Sequence, residues 1–286
     1  MSENLQSTLP HNPLASHFRQ PVIYLKLPSG GAYWPEGSID LPLNGEIPIL
    51  AMSTKDEIIL KTPDALLNGQ GVVNVIESCC PSIKNAWLMP SIDVDAVIIA
   101  IRIASYGNEM DFGAVCPKCN ESHDYAIDLS VVLDSISAPT YNKINVSDLT
   151  IKLKPQAYFN VNKNNMIAFE EQQILKTIRT LQDDPEQAQT QFNNHLSKLI
   201  DLNVLLLASS TDYIETSDNM HVTDTKYFEE FYKNCDTKIV KKVRESIEEI
   251  ANSSGIKPIK VSCNSCQHEF QVQIEFDFAS FFGKGS

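Results

Sequence analysis

Cys116-Pro117-Lys118-Cys119 and Cys263-Asn264-Ser265-Cys266 decide how this chain is read. Each is a C-x-x-C, a loop that presents two thiolates to one tetrahedral metal. Two such loops make a closed four-cysteine site, the usual form of structural zinc; iron takes the same ligands. The flanks match as well. Cys119 is followed by Asn120-Glu121-Ser122-His123 and then by Asp124-Tyr125-Ala126-Ile127-Asp128-Leu129, which alternates like a strand. Cys266 is followed by Gln267-His268-Glu269 and the cleaner alternation Phe270-Gln271-Val272-Gln273-Ile274-Glu275-Phe276. Loop then strand, twice over, is how a zinc ribbon is built. The halves lie about 140 residues apart, against roughly 15–20 in a compact finger. A shared metal therefore joins the middle of the chain to its C-terminal part, with the intervening segment leaving and returning. A redox dithiol sits at a helix start in a βαβ unit, and neither pair here does. Four cysteines leave no open coordination position, which points to a structural metal. His123 and His268 are alternative ligands, read more simply as solvated turn residues.

Working outward, residues 1–20 are polar, contain Pro10 and Pro13, and read as an arm. Val22 to Leu27 reads as a strand closed by the turn Pro28-Ser29-Gly30-Gly31. Ile47 to Met52 is a second strand, at an edge because of Pro48. Thr54 and Glu57 have capping-box spacing for a short helix that Pro63 interrupts, and Asp64 to Leu67 begins another. Val72 to Ile76 suits helix or strand, with helix preferred. Ser91-Ile92-Asp93-Val94-Asp95 opens the best helix of this half: Ser91 caps it, and both aspartates suit the positive end of its dipole. Val94 to Ile103 is apolar nearly all round, so this helix is central and buried. Arg102, its one basic residue, reads as an internal ion pair or a carbonyl cap. Gly107 ends the helix as an αL cap.

Residues 144–158 read as strand, after which the pattern over 165–253 is helical, with a break at Asp183-Asp184-Pro185-Glu186. Phe192 to Leu207 forms one of these helices, and Thr223 to Ile250 supplies two more. Ile256 to Val261 returns as strand into the second C-x-x-C. The expected fold is α+β. It has an N-terminal mixed strand/helix region, a zinc-ribbon-like β unit closed by the two distant loops, and an all-helical insertion between them. The corresponding divisions are an arm (1–20), a core (21–160 with 255–286) and the insertion (161–254). Phe276, Phe278, Phe281 and Phe282 crowd the C-terminal end and are expected to dock into the core or into a partner.

Composition narrows the function. The 286 residues carry a net charge of −13 and a pI near 4.9, whereas a nucleic-acid binder shows a basic face. Lys238, Lys241, Lys242 and Arg244 share their helix with Glu245, Glu248 and Glu249 and read as a solvated mixed-charge face. Cys79, Cys80 and Cys235 are left over as reduced thiols, and seven cysteines with a vicinal pair do not suit a secreted disulfide framework. No apolar run is long enough to span a bilayer. Phosphate-loop, dinucleotide-binding, nucleophile-elbow and H-E-x-x-H signatures are absent, so an enzyme is not expected. A hydrolase or transferase with an unrecognised site is the weakest reading.

Several segments together resemble a known family. They are Leu27-Pro28-Ser29-Gly30-Gly31 with Tyr33 and Pro35-Glu36-Gly37, Met52 to Glu57, and Arg102-Ile103-Ala104-Ser105-Tyr106-Gly107. The first C-x-x-C with Asp128-Leu129-Ser130 and the second with Phe281-Phe282 complete the set. In this order they resemble the baseplate hub assembly protein family of T-even-type contractile-tailed bacteriophages, over residues 22–130 and the last 30; the helical middle matches only in kind. The resemblance implies a protein made in the host cytoplasm that acts in tail baseplate assembly, as a hub component or a chaperone for one, and whose partners are other baseplate and hub proteins. It carries no catalytic residues. Gln267 stands where glycine commonly follows such a knuckle, so a looser turn is expected there. Tyr33, Trp34, Phe281 and Phe282 are the candidate partner contacts, because docking hot spots favour aromatic anchors. Tyr33 and Trp34 equally suit covering their own core. The alternative function is a zinc-ribbon nucleic-acid-binding module, which only the paired loops suggest.

Overall fold

The computed structural model describes residues 12–62, 69–180, 198–253, 255–273 and 281. Strand β1 (Pro21–Lys26) pairs antiparallel with β2 (Glu46–Leu50). Alternation turns Leu25, Ile47 and Ile49 inward and leaves Val22 and Tyr24 exposed. Helix α1 (Thr54–Leu60) follows. Its capping box lies one residue earlier than Thr54 and Glu57 suggest. Ser53 is the N-cap, its backbone N–H donating to Asp56 Oδ2 at 2.7 Å. Glu57 is engaged elsewhere, accepting from the Tyr106 hydroxyl at 3.2 Å. Asp56 also receives the Arg19 guanidinium at 3.0 Å, and the same guanidinium donates to the Ser78 hydroxyl at 2.8 Å. The last residues of the expected arm are thus tied to the body, while residues 1–11 lie outside the described residues.

Helix α2 (Gln70–Cys79) settles the helix-or-strand ambiguity, burying Val72, Val73, Val75, Ile76 and Cys79. The restart expected at Asp64 to Leu67 lies outside the described residues. Helix α3 (Ser91–Tyr106) is the central buried helix, with Val97, Ile99, Ala100 and Ile101 fully covered. Its start differs from expectation. Pro90, not Ser91, is the N-cap, so no side chain caps this end, and the Ser91 N–H donates to the Gln156 carbonyl at 2.8 Å. Asp93 turns away from the helix end. It accepts from Ser29 N–H (2.8 Å), Ser29 Oγ (2.6 Å) and Trp34 Nε1 (2.8 Å), fixing the loop after β1. Gly107 has positive φ (87°) with an extended ψ (178°), not the αL geometry expected. Arg102 does cap a carbonyl, that of Phe281 at 3.2 Å, and lies 4.6 Å over the Tyr106 ring.

Hairpin β3 (Glu109–Val115) and β4 (Ser122–Asp128) leads into α4 (Leu129–Ser135), capped by Asp128. The strand expected over 144–158 is a hairpin that ends at Leu153: β5 (Lys143–Val146) and β6 (Leu149–Leu153), with Ser147 at φ 56° in the turn. Helix α5 spans Tyr158–Thr180, and residues 198–209 form α6. The expected break at 183–186, and Phe192 on the next helix, lie outside the described residues.

The insertion is not all-helical. Strands β7 (Thr211–Glu215) and β8 (His221–Val222) follow α6 and complete a four-stranded antiparallel sheet in the order β5-β6-β7-β8. Thr211-Asp212-Tyr213-Ile214-Glu215 is a five-residue β-prone run turned by Asn219 at φ 60°. Helices α7 (Thr225–Asn234) and α8 (Thr237–Ser253) pack on this sheet. Ile151, Leu153, Leu207, Phe228 and Val243 belong to this second core. Residues 141–153 therefore pack with the second core, against the expected boundary at 160/161. The first core holds β1, β2, α2, α3 and α4. Hairpin β9 (Ile259–Ser262) and β10 (Glu269–Val272) closes the chain's return.

Phe276, Phe278 and Phe282 lie outside the described residues. Phe281 is only 4 % exposed and belongs to the first core. Replacing a buried phenylalanine with alanine removes its transfer energy and leaves a cavity. Phe281→Ala is expected to lower stability by about 3–5 kcal/mol in urea unfolding. A loss below about 1 kcal/mol contradicts this placement.

Candidate metal centre

The two C-x-x-C loops sit at the tips of two hairpins built alike. In the first, Val115 pairs with Ser122. Cys116 N–H donates to the Glu121 carbonyl and Asn120 N–H to the Cys116 carbonyl, each at 2.9 Å. In the second, Ser262 pairs with Glu269. Cys263 N–H donates to the His268 carbonyl and Gln267 N–H to the Cys263 carbonyl, again at 2.9 Å. Asn120 and Gln267 occupy equivalent left-handed positions, φ 58° and 56°. Gln267 thus takes the conformation for which glycine is the default, and the turn is no looser than its counterpart. The cost of the left-handed side chain, of order 1 kcal/mol, is accepted at both tips because each aims a pair of sulfurs at one point.

Those sulfurs converge. The Sγ atoms of Cys116, Cys119, Cys263 and Cys266 all lie within 4.8 Å of one another. Cys116 and Cys266 are 3.7 Å apart, and Cys119 and Cys263 are 3.6 Å apart. A disulfide needs about 2.05 Å, so these are free thiols. Four sulfurs each about 2.3 Å from one tetrahedral ion are about 3.8 Å apart. The pairs spanning the two loops match that spacing, so the donor set fits a single metal ion.

The electrostatics agree. Burial raises the Cys116 thiol, but the amides of Cys119 and Lys118 and the neighbouring sulfurs bring it down to about 7. At Cys119 the Glu121 amide lowers the thiol, while burial and the sulfurs of Cys266, Cys263 and Cys116 push it up to about 12. One thiolate forms readily and suppresses the next. A divalent cation removes that conflict and holds all four as thiolates.

No histidine joins the sulfur cluster among the described residues. His123 is more than a solvated turn residue: its Nε2 lies 3.0 Å from Ser265 Oγ, a hydrogen bond that bridges the two loops. His268 stacks on Phe270 with ring centroids 6.4 Å apart. Tyr125 lies edge-on to both Phe270 (6.3 Å) and His123 (6.4 Å), which makes an aromatic seam between the hairpins. Ser265 lies inside the second C-x-x-C but not at a ligand position, and Tyr125 lies in no motif; each acts across the interface between the two hairpins, which no local pattern shows.

The four aromatic contact candidates are treated differently by the fold. Trp34 is half-buried against the first core with its indole N–H on Asp93, and Phe281 is buried. Both are engaged within the chain, which leaves them little surface for a partner. Tyr33 stays 42 % exposed, in a left-handed conformation (φ 67°) and edge-on to Tyr141. Phe282 lies outside the described residues. Cys79 and Cys80 are buried, and Cys235 is partly so. Burial pushes the Cys79 thiol up to about 12 and raises the Cys80 thiol as well, which keeps both protonated and unreactive. Among the described residues, no helix is long and apolar enough to cross a membrane.

Compared with known proteins, the chain matches one family model, described as T4 bacteriophage base plate protein, over residues 23–283. No curated protein and no solved structure matches it.

Losing one ligand should release the C-terminal hairpin. Cys116→Ser and Cys263→Ser are each expected to lower stability by on the order of 3–5 kcal/mol, because binding energy here is folding energy. They should also speed amide exchange in β9 and β10, while Cys235→Ser stays within about 1 kcal/mol of the parent. Parent-like thermal stability in either ligand variant contradicts the shared site.

Proposed function

The chain belongs to the T4 bacteriophage base plate protein family, and on that premise we propose that it acts in assembly of the tail baseplate hub, as a hub component or as a chaperone for one, through protein–protein contacts. The family match over residues 23–283 carries this reading, since it spans both cores and both metal-binding loops. Its partners are other baseplate and hub proteins. It is made in the host cytoplasm and acts at the tail baseplate. The proposal assigns it no catalysis.

The ion proposed for the four cysteines is zinc, in a ribbon-like unit formed by the β3–β4 and β9–β10 hairpins. Four thiolates with no open position suit a closed structural site. Its role is to clip the C-terminal hairpin to the middle of the chain, so that both cores form one docking body. Tyr33 is the proposed partner contact that remains exposed. Its backbone is fixed in a glycine-rich turn and its ring is steadied by Tyr141, so little side-chain freedom is lost on docking. No observation favours the nucleic-acid-binding alternative. The basic residues of α8 lie among acids, Lys241 being 3.9 Å from Glu245 on the next turn.

Co-expression with the other hub proteins, followed by affinity capture and size-exclusion chromatography, tests this directly. A stable complex is expected, weakened about tenfold by Tyr33→Ala, which corresponds to about 1.4 kcal/mol. A chain that stays monomeric and ignores every tail protein contradicts the assignment. A complex untouched by Tyr33→Ala contradicts only the contact residue.

A further inference from the structure

Residues 154–158 run between the two cores and are bonded to both. On one side, Ser91 N–H donates to the Gln156 carbonyl and Tyr158 N–H to the Met89 carbonyl, each at 2.8 Å. On the other, Lys154 N–H donates to the Ser210 carbonyl at 2.8 Å, and the Gln156 side-chain amide donates to Ser209 Oγ at 2.6 Å. Beside this strap lies a half-open cavity of about 260 Å³, lined among others by Ile92, Asp95, Tyr141, Leu206, Ser210 and Ile247. Drug-sized ligands occupy roughly 300–1,000 Å³, so this space suits a single long side chain.

Asp95 sets the chemistry of the cavity. It lies on the same helix as Asp93, and the two are handled in opposite ways. Asp93 accepts from Ser29 N–H, Ser29 Oγ and Trp34 Nε1. Asp95 is partly buried on the cavity wall, and among the described residues no donor or cation is paired with it; partial burial raises its carboxyl above the ordinary value. A carboxylate partly withdrawn from water with no cation beside it is favoured in its charged form by a cation that enters the cavity. Lys154 lines the same cavity, but its ammonium lies 3.8 Å from Asp212 Oδ1. An anion is disfavoured here, because Asp95 repels it and the N–H of Ser91 at the helix start is already bonded.

We propose that this cavity receives a lysine or arginine side chain of a partner protein, with Asp95 as the counter-ion. Ile92, Leu206 and Ile247 cover the methylene stem, as apolar surface does for snorkelling side chains. The charged head meets Asp95, with the Ser210 residue beside it. A chain of net charge −13 favours a basic partner. The proposal is independent of the metal and of the hub assignment.

The test uses the full chain and three probes: the N-acetyl, N-methylamide derivatives of arginine, lysine and norleucine. Amide chemical shifts at residues 91–95 and 206–210 report binding. At least one cationic probe is expected to bind in the millimolar range, with norleucine at least tenfold weaker. This comparison needs no variant. Asp95→Asn is expected to reduce cationic-probe binding at least tenfold while melting no lower than the parent, since its carboxylate makes no native bond. Absence of shifts with both cationic probes overturns the proposal, as does equal binding by norleucine or by Asp95→Asn. Spermidine binding tenfold tighter than either cationic probe also overturns it, by assigning the cavity to a free polyamine.

Discussion

Closure of four sulfurs around one point is the constraint on which the C-terminal part of the chain depends. The β9–β10 hairpin has two strands of four residues each, and an isolated two-stranded hairpin is marginal in water. Its apolar support is slight: Phe270 against Tyr125, and Ile256 and Ile259 partly packed on the first core. Cys119 and Cys263, which meet at 3.6 Å, are 144 residues apart in sequence. Closing a flexible loop of that length costs about 4–5 kcal/mol in the length-dependent term alone. Four-ligand zinc sites contribute roughly 10–16 kcal/mol near neutral pH. Ligation of that strength by the four cysteines would outweigh the closure and leave a surplus to hold this short hairpin.

The intervening residues repeat the same logic with apolar contacts. The second core is a closed unit, a four-stranded sheet covered by α6, α7 and α8. Its attachment to the first core runs through residues 154–158, whose backbone bonds face both ways. Phe281 adds a third tie, its ring in the first core and its carbonyl under Arg102. The sulfur cluster, the strap and Phe281 thus tie separate parts of the chain together. A body tied at several points loses little ordering entropy when it meets another surface.

What could be read from sequence follows the range of the determining interaction. The C-x-x-C pairs were legible because each is a local motif, and their shared flanks announced a repeated hairpin. Helix α3 was legible because an apolar surface all round has one solution, burial. The start of that helix was not: Asp93 suits a helix dipole by position, but Ser29 and Trp34, 64 and 59 residues away, claim it. The cap of α1 shifted by one residue because Ser53/Asp56 and Thr54/Glu57 share the same spacing. The Arg19 guanidinium on Asp56 and the Tyr106 hydroxyl on Glu57 favour the first pair. Strand β7 was hidden among helices, since it is five residues long and its partner β6 lies some sixty residues earlier. The phenylalanine cluster signalled burial, but nothing local could say that Phe281 is consumed by its own chain. Family membership narrowed the function further than any side-chain constellation did.

The central claim is that two hairpins from distant parts of the chain share one metal ion. X-ray absorption at the metal edge, combined with metal analysis of the purified protein, tests it most directly. One ion per chain with four sulfur neighbours at about 2.3 Å is the expected result, with the melting temperature falling when a chelator strips the ion. A protein that purifies without metal, melts at the same temperature in chelator and exposes four freely titrating thiols at Cys116, Cys119, Cys263 and Cys266 contradicts it.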